Sequence, residues 1–468
     1  MRKKVIRKIG VVIVDGVGYK NFILSDFCKE LQNENCQIII FSGLREDVYN
    51  FPDNSAVKVV ELDVYTESRL TWVFRKMKEL AHLHRYRHFY SIGNNLRNRY
   101  PKSNNFRGLI TKGLLKFTSL FNSENWISAY NQWQSWSFKN DAVVKQYLSK
   151  IEENKPDILF FTHQRPPYLA PLDYAAKKLG IKTCSFIFSW DNLPSKGRMA
   201  APFDSFMVWS ELMKEELHYF YPKTKNQEVA VVGTPQFEPY ALERYASSRE
   251  SFYERFSVDS NLKTICYSCG DVSTSKNDGL YIKTIAKALK NGKIPEVNFV
   301  VRTSPAEDGS RFSALKIDYP FIKWNFPKWK LTRENHPEPW SQRVPLKEDL
   351  IDLRALLEYC DLNLNMCSTM GLDFMLFDKP VINPVFGNEE NGLYNDGKYL
   401  RYGHYERVVA SGAVVIAKKE NELIQAINFS LENPLARLKQ QKKLLELQIG
   451  KPLKGTSRNM AKTLKEWA

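Results

Sequence analysis

The sequence predicts an α/β fold class: two doubly wound, Rossmann-like units, each built on a parallel sheet. Three observations predict it. Short apolar runs alternate with amphipathic helical segments along most of the chain, the pattern of strands buried on both faces by helices. A Pro- and Gly-bearing break, "GTPQFEPY" at 233–240, interrupts this rhythm, which then starts afresh. Finally, a chain of 468 residues is too long for one ordinary core and suits two domains of about 200 residues each.

The elements follow in order. "KIGVVIVDGVG" is a short buried strand ending in a Gly-bearing loop, followed by an amphipathic helix from Phe22 to Leu31 and a second strand, "CQIIIFSG". A basic, aromatic-rich helical stretch of about 65–150 interrupts the alternation. Strands and helices then resume with "PDILFFTH", "LAPLDYAAKKLG", "IKTCSFIFSW", "SFMVWS", "ELMKEELHYFY" and "EVAVVGTP". After the break come strand "TICYSCG", a helix around Leu280 to Leu289, and strands "NFVVRTSP" and "FIKWNF". A Trp- and Pro-rich loop at 328–345 leads to the helix "LKEDLIDLRALLEYC", and then to a strand–turn–helix–strand run, "LNLNMCSTMGLDFMLFDKPVI". A last strand and helix lie in 413–433. We therefore expect an N-terminal domain over 1–238, a C-terminal domain over 239–440, and a basic helical tail, 441–468, packing back on the first domain. Two such sheets facing each other make a cleft, since ligands sit beyond the carboxyl ends of the strands.

Composition limits the function classes. Apolar content of 43% and charge of 26% are those of a globular protein. No run approaches the roughly 18 apolar residues of a membrane span. The basic N-terminus has a short apolar run that leads to Asp15 and Gly16, so it reads as a lead-in to a strand rather than a signal peptide. Seven cysteines in no paired framework point to a reducing cytoplasm. The CxxC of Cys266 and Cys269 lacks the second Cys/His pair a zinc site requires, and reads as structural.

The net charge of +16 calls for an acidic partner. From Arg69 to Lys116 there are twelve Lys or Arg and a single acid, Glu79. Within it, Phe106, Leu109, Ile110, Leu114, Phe117 and Phe121 recur at helical spacing, with Arg107, Lys112 and Lys116 on the other side. This is a basic amphipathic helix, the pattern of a segment lying on an anionic membrane surface, and the 69–121 segment is the expected contact. An ordinary surface helix fits the same spacing. No nucleic-acid-binding signature is present, so nucleic acid is not an expected partner.

Chemistry-bearing residues cluster at strand ends. Ser368 and Thr369 follow a strand and precede a helix, where hydroxyls, backbone N–H groups and the helix dipole suit a diphosphate. Asp373 lies one turn inside that helix, where a carboxylate can take two hydroxyls of a ribose or sugar. A plain N-cap with a dipole-stabilising acid explains the same residues. In "SWDNLPSKGRM", Asp191 stands beside an Asn after a strand, placed to accept a proton from a hydroxyl or to form an Asx turn. His163, Gln164 and Arg165 end the preceding strand. Asp15 follows the first. Asp191, His163 and Asp15 are the three candidate bases, and the sequence does not choose among them.

The run Asp373-x4-Asp378-Lys379-Pro380-Val381-Ile382 resembles the "E-x4-G-x-P-V-I" signature of GT-B glycosyltransferases of the bacterial surface-polysaccharide type. Asp378 stands where the family commonly has Gly. The resemblance implies that Asp373 binds the ribose or sugar of a nucleotide-sugar and that the turn at Ser368 and Thr369 binds its pyrophosphate. "NFVVRTSP" is similar to an element that puts Arg302 near a phosphate, and "TICYSCGD" occupies the place of the strand whose loop, with Gly270, faces the donor phosphates. "SWDNLPSKGRM" is similar to a Trp-Asp-Asn-Leu-x-x-Lys segment of such transferases.

The resemblance implies transfer of a sugar from a nucleotide-sugar to a hydroxyl of a surface glycan or lipid-linked acceptor. No DxD-type dyad in a metal-binding context is evident, so no metal and no cofactor beyond the nucleotide-sugar co-substrate is expected. The expected place is the cytoplasm, peripheral at the inner membrane face. A nucleotide-sugar 2-epimerase, a polyol-phosphate transferase, or a non-catalytic membrane-associated protein on the same fold are the alternatives.

Overall fold

The computed structural model describes residues 6–51, 56–103 and 105–468, so the lead-in at 1–5 lies outside the described residues. The chain divides into two compact units. The first comprises Met1–Glu238, Leu331–Val344 and Gln448–Ala468; the second comprises Pro239–Lys330 and Pro345–Leu447.

The first unit is a seven-stranded sheet of β1 (Arg7–Ile13), β2 (Cys36–Ser42), β3 (Val57–Glu61), β4 (Ile158–Phe161), β5 (Lys182–Phe186), β6 (Ser205–Val208) and β7 (Glu228–Val231), in the order β3-β2-β1-β4-β5-β6-β7. Every pairing is parallel. The chain winds outward from β1 to β3 and then returns to the other side of β1, which makes β1/β4 the topological switch point. The sheet is apolar through its length because helices cover both faces: Val11, Val12 and Ile13 of β1 and all of β4 are buried. Phe22, Phe27 and Phe160 pack edge to face or tilted at centroid distances of 5.1–5.6 Å. Each such ring contributes about 1.5–3 kcal/mol by burial.

The single helix expected over Phe22 to Leu31 is two helices, Gly16–Phe22 and Phe27–Asn33. The break has a local cause: the Ser25 hydroxyl accepts from Phe27 N, and the Glu238 carboxylate accepts from Asp26 N. Backbone donors that would continue the helix are taken by side chains. Between β3 and β4 the chain forms five helices, the longest Arg69–Arg85, Phe106–Leu120 and Glu124–Ser137. They share a small core of Met77, Ala81, Ile127 and Tyr130.

The second unit is a six-stranded sheet of β8 (Thr264–Ser268), β9 (Asn298–Arg302), β10 (Lys323–Asn325), β13 (Leu362–Leu364), β14 (Val381–Pro384) and β15 (Val415–Ala417), in the order β10-β9-β8-β13-β14-β15. It too is parallel and winds in the same sense from its own switch point at β8/β13. The intervening β11 (Trp329–Leu331) and β12 (Arg343–Pro345) form a separate two-stranded sheet in the segment read as a loop. Leu331–Val344 groups with the first unit, not with the 239–440 domain that the sequence suggested. Two contacts explain this. Arg333 pairs with Glu61 at 2.6 Å, and the Arg343 carbonyl lies where a Cβ on Gly16 would be 1.6 Å away, so only glycine admits it. The tail splits: 441–447 stays with the second unit, and the helix Thr456–Trp467 belongs to the first, where Ser457 bonds Glu238. No helix among the described residues is long and apolar enough to cross a membrane.

Candidate functional site

The three candidate bases lie at the carboxyl edge of the first sheet, and their surroundings separate them. Asp15 leaves β1 and caps the helix Gly16–Phe22, its Oδ1 accepting from Gly18 N at 2.7 Å. The residue is 1% exposed, and its Oδ2 has no hydrogen-bond partner among the described residues. Burial pushes its carboxyl up to about 6, opposed by the Gly18 and Val17 amides and reinforced by the Glu338 carboxylate. A buried carboxylate with one open oxygen and a pKa near neutrality has the character of a general base.

His163 is different. It follows β4, the neighbour of β1, and its ring stacks on Phe188 at 4.0 Å and 8°. Burial holds it neutral, well below the usual histidine range, with Arg165 adding to the effect. Its Nδ1 accepts from Arg165 N at 3.1 Å, which leaves the proton of the neutral ring on Nε2. In this tautomer the neutral ring presents a donor at Nε2. Asp191 precedes the short helix Asn192–Ser195 but makes no side-chain cap; it pairs with Lys196 at 3.2 Å and accepts from Asn192 Nδ2 at 3.1 Å. It is near enough to His163 to act on it electrostatically.

Beside Asp15 a cavity of about 230 Å³ opens at the ends of β1 to β3, lined among others by Val14, Asp63, Arg75, Tyr168, His336 and Glu338. Its one guanidinium, Arg75, is held by Glu67 at 2.7 Å and Glu79 at 2.5 Å. The lining is thus rich in carboxylates and phenols, groups that suit hydroxyls. Glu338, Tyr168 and Asp15 interact electrostatically, and burial raises the Glu338 carboxyl. A second cavity, of about 280 Å³, lies away from the strand ends, where Lys78 donates to Asn131, Gln134 and the Ala200 carbonyl.

In the second unit, the residues expected around a donor also gather at one carboxyl edge, yet most are bound to one another. Arg302 ends β9 with its guanidinium closed on Asp349, both contacts 3.0 Å, and a further bond to Asn325. Asp349 also accepts from Lys328 N and Trp329 Nε1. The guanidinium expected at a phosphate is half of a buried ion pair. Gly270 N donates to Asp278, 3.0 Å away, and its carbonyl accepts from Arg311, so the amide expected to face phosphates is taken. Burial pushes Asp278 up to about 7. Asp373, expected at ribose hydroxyls, is 3% exposed and accepts from the Tyr240 hydroxyl.

The turn before it keeps polar groups in view. Thr369 is the N-cap by position of the helix Met370–Met375, but its backbone is helical and its hydroxyl makes no cap bond; Ser368 Oγ instead accepts from Met370 N at 3.3 Å. Ser368 and Thr369 are both partly exposed. Asp378, standing for the family's Gly, has φ +60°, the left-handed conformation glycine favours, and pairs with Lys442 at 2.5 Å.

Sequence reasoning missed Tyr240, Asp349 and Asp278, which hold the three donor-edge residues. It also missed a buried asparagine ladder. Asn363 bonds the Cys266 carbonyl and Ser268, Asn365 bonds Asn363, and Asn383 bonds the Asn365 carbonyl. Asn365 Oδ1 then accepts from Ser368 N at 2.8 Å, fixing the turn. The signal was present: Asn at 363 and 365 alternates on one face of a strand that is otherwise apolar.

No protein-family model matches the sequence, and no curated protein does. Solved structures do resemble it. A Staphylococcus aureus MnaA–UDP co-structure has a TM-score of 0.54 at 12% identity, covering 99% of this chain and 97% of its own. A glycosyltransferase from Rickettsia africae reaches 0.51 at 13% identity, covering 99% and 98%. A UDP-GlcNAc 2-epimerase from Neisseria meningitidis, bound to UDP-GlcNAc, reaches 0.50 at 11% identity, covering 98% and 100%. Each likeness spans nearly the whole chain, and together with the two parallel sheets and their winding it shows that the protein has the GT-B fold.

Proposed function

We propose that the protein is an enzyme of nucleotide-sugar chemistry, transferring a sugar from a nucleotide-sugar to a hydroxyl of a glycan or lipid-linked acceptor. The observation that carries this reading is Asp15: a buried carboxylate with an open oxygen at the switch point of a sheet in the GT-B fold. In this reading Asp15 takes the proton of the acceptor hydroxyl, and the carboxylate- and tyrosine-lined cavity beside it orients that hydroxyl. His163, a neutral donor, holds an oxygen of the sugar or acceptor. The turn at Ser368 and Thr369, fixed by the asparagine ladder, receives the diphosphate. Leaving-group departure is read as metal-independent, because the sequence carries no DxD-type dyad.

A 2-epimerase reading is equally compatible with the fold, since a UDP-GlcNAc 2-epimerase is as similar as the transferase. One experiment separates them. The protein is screened by thermal shift against UDP, GDP and CDP, then incubated with sugar adducts of whichever nucleotide binds. A ligand at a hundred times its Kd raises stability by about 2.7 kcal/mol. Proton NMR of the mixture without acceptor then reads the chemistry. A new C2 epimer indicates the epimerase. An intact donor consumed only when a glycan acceptor is added indicates transfer. No binding and no turnover with any nucleotide overturns both readings.

A further inference from the structure

The helix Phe106–Leu120 is apolar on two sides. Gly108, Leu115 and Thr118 face inward and are buried. Ile110, Leu114 and Phe121, expected on an outward apolar face, are all partly buried, and Leu114 and Phe121 pack against the core of Met77, Ala81, Ile127 and Tyr130. The outward stripe is apolar nonetheless: Phe106 is 74% exposed, Leu109 56%, Phe117 38% and Leu120 76%. These positions are three, eleven and fourteen residues on from the first, one line along the helix.

The stripe does not end with that helix. Phe117 packs tilted against Phe121 at 4.7 Å, and Phe121 meets Trp126 of the helix Glu124–Ser137 at 4.9 Å. Trp133 and Trp136 extend the exposed face of that second helix. An apolar aromatic surface of this continuity marks an interaction site. Its surroundings are cationic, with Arg99, Lys102, Arg107, Lys112 and Lys116 all exposed. The one acid of the 69–116 segment, Glu79, is engaged by Arg75 and Lys76, so it does not offset them.

We propose that these two helices form a membrane-docking face, with Phe106, Leu109, Leu120 and the tryptophans entering the headgroup boundary of an anionic bilayer and the flanking cations meeting its phosphates. Charge complementarity selects an anionic occupant over a neutral or basic surface, and exposed tryptophans beside the cations suit the bilayer interface over an acidic protein surface. The proposal is independent of the catalytic reading.

The test uses the full chain, co-sedimented with vesicles of phosphatidylcholine alone and with vesicles containing phosphatidylglycerol. The wild type is expected to sediment with the anionic vesicles, to be released by high salt, and to bind phosphatidylcholine at least about tenfold more weakly. Phe106→Ser/Leu109→Ser/Leu120→Ser and Lys102→Glu/Lys116→Glu are each expected to weaken anionic binding by about tenfold or more, with unchanged melting because all five side chains are exposed. If the serine variant fails to fold, the charge-reversal variant alone decides. Absence of sedimentation with anionic vesicles, or binding that neither variant changes, overturns the proposal. So does a wild-type dimer that the serine substitutions dissolve without any vesicle binding, which would make the face a contact between copies.

Discussion

The carboxyl edges of the two sheets share a winding, and their candidate site residues differ in how they are satisfied. At the edge of the second sheet, Arg302, Gly270 and Asp373 each close on an internal partner. At the edge of the first, Asp15 keeps an open, buried oxygen. A fully paired polar group holds a loop in place. One left half-paired in a dry site is strained toward a ligand or a proton. In the proposed reading the first unit supplies the base, and most of the named residues of the second hold its loops in place.

The largest expected effect follows from that assignment. Asp15→Asn keeps the helix cap, since Asn caps as well as Asp, and removes the proposed base. Turnover is expected to fall by about 10²–10⁴-fold. The same substitution has a stability signature of fixed sign. The folded pKa of about 6 lies above that of an unfolded aspartate, so the wild type binds more protons folded than unfolded. Its stability is therefore full below about pH 4 and is lost as pH rises through about 6. Asn does not titrate, so the variant is expected to gain up to about 3 kcal/mol on the wild type above pH 7 relative to pH 4. Denaturant melts at the two pH values read this directly. A pH-independent difference would place the open oxygen on an unseen partner.

Arg302→Met comes next and works through the other edge. Breaking a buried ion pair from one side is expected to cost about 3–5 kcal/mol, and Arg302→Met/Asp349→Leu to recover part of it. If Arg302→Met instead melts normally and loses nucleotide binding, the arginine serves a phosphate and the contrast between the edges fails. Tyr240→Phe is a smaller change, expected to cost about 1–3 kcal/mol by leaving Asp373 short of a donor. Calorimetry of the variant decides it.

The smallest effect tests the left-handed position of Asp378. Asp378→Gly trades an exposed ion pair for freedom at φ +60° and is expected to change stability by less than about 1 kcal/mol. Asp378→Val, β-branched in the left-handed region, is expected to cost about 1–2 kcal/mol. Equal melting of the two variants would remove the backbone argument.

The sequence made the fold legible because alternation of buried strands and amphipathic helices survives without any long-range information. Asp378 shows the same at one residue: the backbone is left-handed there, and Asp is among the non-glycine residues that tolerate it. The site was legible only as far as position. Asp15, His163 and Asp191 were found because each follows a strand, but ranking them required burial and tautomer. The Arg165 amide on His163 and the open Oδ2 of Asp15 are contacts of the fold, absent from any spacing rule. The internal pairing of Arg302 and Asp373 was out of reach for the same reason. Their partners, Asp349 and Tyr240, stand 47 and 133 residues away in sequence. The placement of Leu331–Val344 in the first unit was likewise out of reach, since Gly16 admits the Arg343 carbonyl from across the chain.

The most direct test measures nucleotide binding and turnover side by side for the wild type and Asp15→Asn. Both proteins are expected to bind the same nucleotide within about twofold, and only the wild type to turn over its sugar adduct, with a rate that rises through about pH 6. Undiminished turnover in Asp15→Asn would contradict the assignment of the base, and with it the contrast between the two edges.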